Sequence, residues 1–126
     1  TGALDGRPLE TNGMLVAIGL GCYFGGGMMI TPGASPLGGY FQVVMVHKIS
    51  RLELLTLLPG LYCGKHLNHP RVTAVCASRI TIDADPPADI EAEGELEGTT
   101  PLEVTILPQA LQIAAPALSE PLPLRP

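Results

Sequence analysis

The chain has 126 residues, one domain's worth, with a formal net charge of −5 and no basic run, which argues against a nucleic-acid-binding surface. Hydrophobic residues make up 46% but aromatics only 4%, with no Trp, so the core must be built from Leu, Ile, Val and Ala. Fifteen Gly and thirteen Pro in one small chain call for many short elements and frequent turns, which favours an all-β or mostly-β domain.

In chain order, Asp5-Gly6 and Thr11-Asn12-Gly13 are turn signals. Gly13 to Gly21 encloses a short apolar run that suits a strand buried on both faces. A second strand is expected over Gly26–Thr31, entered from three consecutive glycines, Gly25, Gly26 and Gly27. Glycine triplets serve tight turns and bulges, and they also serve backbone that must lie against a ligand without a Cβ in the way. Residues 32–39 read as loop, and Tyr40–His47 is a strand rich in β-branched and aromatic residues.

Ser50 stands as a helix N-cap with Glu53 at the capping-box position. Leu52, Leu55 and Leu58 then recur at helical spacing, and Pro59-Gly60 is expected to end the helix. That leucine stripe reads most simply as a core face; a lipid-chain pocket is the alternative. Arg71–Asp83 alternates as one long strand with Val72, Ala74, Cys76, Ser78, Ile80 and Ile82 on one face. After a turn over Asp83–Pro87, strands are expected at Ile90–Leu96, Leu102–Leu107 and Ala110–Ala114. The fold expectation is a twisted β-sandwich of about seven or eight strands over residues 1–116, one covering helix, and a proline-rich disordered tail at 117–126.

Cys22, Cys63 and Cys76 sit among apolar or small residues and read as reduced thiols serving as small core side chains. His47, His66 and His69 do not pair with cysteines at ligand spacing, so no metal site is expected. No window approaches the ~18–20 apolar residues of a membrane span, and the first residues lack a signal peptide's basic and apolar regions. Thr1 begins abruptly, as in a piece of a longer protein, and a cytoplasmic setting is expected.

Four segments bear on chemistry: Tyr23-Phe24-Gly25-Gly26-Gly27-Met28, Ser50-Arg51-Leu52-Glu53, Gly64-Lys65-His66-Leu67 and Glu93-Gly94-Glu95. In this order, over roughly residues 3–116, they resemble the C-terminal half of the diacylglycerol kinase and sphingosine kinase-like lipid kinases, particularly the bacterial branch. The resemblance implies ATP and Mg²⁺ in the full-length protein, a lipid substrate, and an N-terminal nucleotide-binding domain that is missing here. No phosphate-loop sequence occurs in these residues, so neither cofactor is expected on this piece and it should not phosphorylate lipid alone. By the same resemblance Glu93 takes the place of the family's aspartate, the base for the lipid hydroxyl, and Glu95 matches that motif's glutamate. Gly25, Gly26, Gly27 and Lys65 would belong to the nucleotide or substrate loop.

Each of those residues also has a plainer reading. A bare Glu-Gly-Glu is a solvated turn, and Lys65 is a cation near a helix C-terminus, where it offsets the dipole. His69-Pro70 shapes a turn. The chain departs from the family where paired acids followed by glycine would help hold magnesium: here stands Leu37-Gly38-Gly39, with no side-chain oxygen. Leu20 replaces an asparagine ahead of the triplet. The competing expectation is therefore a degenerate member acting as a lipid-binding or regulatory β-domain. Peripheral membrane contact and a homodimer stay open.

Overall fold

The computed structural model describes residues 1–112, and these form nine strands, one α-helix and one 3₁₀ turn. The strands are β1 (Gly2–Leu4), β2 (Arg7–Leu9), β3 (Gly13–Gly19), β4 (Phe41–His47), β5 (Val72–Ala77), β6 (Arg79–Ile82), β7 (Asp89–Ala92), β8 (Glu95–Thr99) and β9 (Leu102–Thr105). The helix α1 covers Arg51–Leu61, and the 3₁₀ turn Lys65–Asn68. All pairings are antiparallel, in a four-stranded sheet β2-β1-β6-β9, a three-stranded sheet β3-β4-β5 and a separate hairpin β7-β8.

The two larger sheets close on one core, which makes the domain a mostly-β sandwich. Val43 and Met45 from β4, Ala77 from β5 and Ile80 from β6 are its buried centre. Leu4, Leu9, Val16, Ile18, Phe41, Val75, Ile82 and Val104 pack around it from both sheets. Side chains alternate along β4, so Gln42 and Val44 point away from this core, yet they too are buried. Their face is covered by the loop after β3, where Gly33 N donates to Gln42 Oε1 at 2.7 Å. A middle strand covered on both faces explains why 41–46 is almost uninterruptedly apolar.

Several expectations need correction. Gly2–Leu4 and Arg7–Leu9 form a hairpin around the Asp5-Gly6 turn, where both residues have positive φ. Only the turn was legible there, because Pro8 and Arg7 hide a three-residue strand. Gly26–Thr31 is not a strand; the segment holds a single bridge, Phe24 with Met28. The long strand expected over Arg71–Asp83 breaks at Ser78 into β5 and β6, which belong to different sheets. Asp5 makes the break: its Oδ1 accepts from Ser78 N at 2.9 Å, Ser78 Oγ at 2.8 Å and Arg79 N at 2.9 Å. Donation from Ser78 and Arg79 holds the Asp5 carboxyl below its ordinary value. The break also shifts the alternation, so Ala74 and Cys76 face solvent while Val75, Ala77 and Ile80 face inward.

Ile90–Leu96 is likewise two strands, turning at Glu93-Gly94. Residues 110–112 carry no strand, while 113–114 and the tail at 117–126 lie outside the described residues. Cys63 and Cys76 are exposed rather than core, and only Cys22 is half-buried; all three are free thiols.

The capping box forms as its sequence implies. Glu53 N donates to Ser50 Oγ at 3.2 Å and Ser50 N donates to Glu53 Oε2 at 2.8 Å, and donation from Ser50 lowers the Glu53 carboxyl's pKa. The helix then runs through Pro59 to Leu61 instead of stopping at Pro59-Gly60. Proline removes one intrahelical donor, and so near the end that loss is tolerated. Leu52, Leu55 and Leu58 are exposed, so the expected core stripe is the outer face; Leu57 and Leu61 are the half-buried ones.

Candidate functional site

Gly25, Gly26 and Gly27 have φ of 25°, 65° and 94° and form the tip of a miniature hairpin. Phe24 N donates to Met28 O at 2.8 Å, and Met28 N returns a bond to Phe24 O at 3.0 Å. A Cβ on Gly26 or Gly27 would meet nothing within 4 Å, so positive φ, not crowding, requires glycine there.

The chain beyond the tip is fastened at every step. Met29 N donates to Leu61 O at 2.8 Å, tying the loop to the end of α1. Thr31, buried, donates its hydroxyl to Gly21 O at 2.8 Å, and Cys22 Sγ lies 3.1 Å from Ala34 O. His66 Nε2 is 2.9 Å from Ile30 O. A carbonyl can only accept, so Nε2 carries a proton and donates it, and the ring's other nitrogen is Nδ1. That Nδ1 is buried with no partner among the described residues.

The Gly-Lys-His-Leu segment therefore works from beneath the loop. Gly64 has φ 68°, and a Cβ there would meet Pro32 Cβ at 3.1 Å, so this glycine serves both the turn and the close approach. His66, two residues on, fastens Ile30. Lys65 opens the 3₁₀ turn and is exposed, with no hydrogen bond or ion pair among the described residues. It lies beyond α1, whose last turn contains no basic residue.

Glu93 and Glu95 belong to the β7-β8 hairpin. Glu93 has φ 51° and Gly94 φ 90°, the two-residue turn with both central residues at positive φ. Glu95 opens β8 opposite Ala92. Both glutamates are exposed, and the hairpin's base is closed by Thr100 N donating to Ala88 O at 2.9 Å. Non-glycine residues are uncommon in this backbone region, where Asn and Asp predominate. Asp89, Glu91, Glu93, Glu95 and Glu97 share this hairpin, and no Lys or Arg occurs between Arg79 and Arg125.

The candidate residues thus fall into two groups. The structure brings Gly25–Gly27 and the Gly64–His66 segment together at the end of α1, and it sets Glu93 and Glu95 together on the hairpin. No hydrogen bond or ion pair among the described residues joins the groups. In the loop 35–39, Leu37 is almost fully exposed, and Ser35 Oγ accepts from Leu37 N at 3.4 Å. That hydroxyl is the segment's single side-chain oxygen except for nearby Tyr40, a poor set for a hard cation. Sequence reading missed Thr31, Gln42 and His66 as the fasteners of the glycine loop. The one available signal was that polar residues sit at otherwise apolar positions, where burial requires a partner.

Residues 3–115 match the model of the YegS C-terminal NAD kinase beta sandwich-like domain. The chain is 30% identical over 93 residues to "Diacylglycerol kinase" of Mycobacterium tuberculosis, covering 74% of this chain and 30% of that protein. It is 34% identical over 91 residues to "Putative lipid kinase YtlR" of Bacillus subtilis, covering 72% and 29%. Against "Diacylglycerol kinase" of Staphylococcus carnosus it is 26% identical over 112 residues, covering 89% and 37%. The chain thus spans about a third of the length of the relatives it matches.

Proposed function

Because the chain belongs to the YegS C-terminal NAD kinase beta sandwich-like family, we propose that it is the substrate-side domain of an ATP-dependent lipid kinase. The carrying observation is the match of 74% of this chain to only 30% of a protein named diacylglycerol kinase. On this reading the remaining two thirds supplies the nucleotide site, and this piece alone does not turn over.

Glu93 is the base for the lipid hydroxyl. Its carboxylate takes the hydroxyl proton as the oxygen attacks the terminal phosphorus of ATP, and the bond from that phosphorus to the leaving ADP oxygen breaks. Two features support Glu93 in this role. It sits at the tip of a hairpin that packs extensively only on itself, so it can reach into a cleft shared with another domain. It also occupies a backbone conformation that glutamate does not favour, and such outliers cluster at functional positions. Mg²⁺ would offset phosphate charge in the whole protein, but residues 35–39 do not fit it.

The departure at Leu37-Gly38-Gly39 favours a second reading, a family member that binds lipid without phosphorylating it. Glu93→Gln in the full-length protein separates the two. The kinase reading expects turnover of a lipid hydroxyl to fall at least about a hundredfold with an unchanged melting temperature. A wild-type protein that phosphorylates no lipid, or a variant that keeps full activity, overturns Glu93 as the base.

A further inference from the structure

The outer face of α1 is an unusually apolar surface for a helix turned to solvent. Leu52, Leu55, Leu58 and Tyr62 are 76%, 60%, 43% and 60% exposed. Their spacing puts them on one stripe, and Arg51 joins it four residues before Leu55. The Met29–Leu61 hydrogen bond brings the glycine hairpin to the end of the helix, and there Tyr23 and Phe24 are exposed as well. A helix apolar on both faces is ordinarily buried; this one has only its inner face covered.

Charge says what covers the rest. Lys48, Arg51, Lys65 and Arg71 are four of the chain's seven Lys and Arg, and all four are exposed on α1 and its flanks. Arg71 donates to Lys48 O at 3.4 Å, so its guanidinium lies against the backbone of Lys48 just before the helix. An open cavity of about 430 Å³ lies there, lined by Asn12, His47, Lys48, Pro70 and Arg71. Twelve acids are in the chain, but only Glu53 falls within 48–71, and its carboxylate is turned back onto the Ser50 amide. Eight of the others lie at 83–103.

We propose that the outer face of α1, with Tyr23, Phe24 and Tyr62 at one end and Lys48 and Arg71 at the other, docks on an anionic lipid bilayer. The leucines enter the boundary of headgroups and acyl chains, Arg51 keeps its charge in the headgroup layer, and the tyrosines sit at the same level. The proposal deepens the lipid-kinase reading by giving its substrate a direction of entry, but its test needs no turnover, so either can fail without the other.

The test is co-sedimentation of the 126-residue chain with phosphatidylcholine vesicles that contain or lack phosphatidylglycerol. Expected is binding to the phosphatidylglycerol vesicles, weakened by salt. It should fall about fivefold for each of Lys48→Gln and Arg71→Gln, and more than about tenfold for Leu55→Asp with Leu58→Asp. Both leucines are exposed, so circular dichroism should show those variants folded. Absence of binding overturns the proposal, as does binding that survives the leucine pair. A wild-type dimer in solution that the leucine pair makes monomeric gives the face to a second copy and also overturns it. The same pair leaving vesicle binding of the full-length protein unchanged gives the face to the upstream domain and likewise overturns it.

Discussion

Replacing His66 by alanine tests whether the Gly-Lys-His-Leu segment is a fastener or a ligand-binding element. His66 is 2% exposed, and its Nε2 proton goes to Ile30 O at 2.9 Å. Truncation removes the ring's packing and leaves a cavity, effects that together cost about 2–5 kcal/mol for large buried side chains. It also strands the Ile30 carbonyl, for a further ~1–3 kcal/mol. Against this, the buried Nδ1 has no partner among the described residues, and deleting it recovers a similar penalty of ~1–3 kcal/mol. The polar effects offset, so the packing loss decides, and the expected net destabilisation is about 2–5 kcal/mol. His66→Leu makes the same polar exchange but fills most of the volume, so it should cost less than alanine, below about 1.5 kcal/mol. Urea denaturation followed by circular dichroism measures both. His66→Ala within about 0.5 kcal/mol of wild type, or His66→Leu no better than alanine, refutes the reasoning.

A Cβ at Gly19 would run into the buried Thr31 side chain, whereas Gly26 has open space and only its positive φ at stake. Gly19→Ala should therefore cost about 1–3 kcal/mol and Gly26→Ala about 1–2 kcal/mol; thermal melts in which Gly26→Ala is clearly the worse would overturn this placement of Thr31. Asp5 has a folded-state pKa lowered from 3.8, so its contribution to stability is present above that value and is lost as pH falls through the lower folded-state value. Asp5→Asn should remove that part of the acid sensitivity, and an unchanged pH dependence of the melting temperature below about pH 4 counts against the Ser78 corner. Ile80 is fully buried on β6, and Ile80→Ala should cost about 2–5 kcal/mol in a denaturant titration. Glu93→Asn should raise stability by about 0.5–1 kcal/mol, because asparagine accepts the left-handed turn more readily; a lower melting temperature would mean the glutamate carboxylate has a partner that holds it.

The range of each interaction decides whether the sequence disclosed it. The capping box was legible because Ser50 and Glu53 are three residues apart and their two hydrogen bonds need nothing else. Tyr40–His47 was legible because β-branched and aromatic residues crowd one short run, a composition that suits a pleated, packed strand. The break at Ser78 was not, since its cause is Asp5, 73 residues away in the chain. Alternation from Arg71 to Asp83 looked continuous because both halves are strands, and only their sheets differ. The leucine stripe misled for a related reason: α1 carries leucines on both faces, so periodicity alone cannot say which face meets the sheet. The glycine loop shows the same limit from the other side. Its three positive φ values follow from composition, but its position is set by Thr31, Gln42, Leu61 and His66, reached across turns that no local signal encodes. Gly-Lys-His-Leu therefore reads as phosphate chemistry when met as four residues in a row. In place, its glycine admits Pro32, its histidine holds Ile30, and only Lys65 is left facing outward, on the cationic flank of α1.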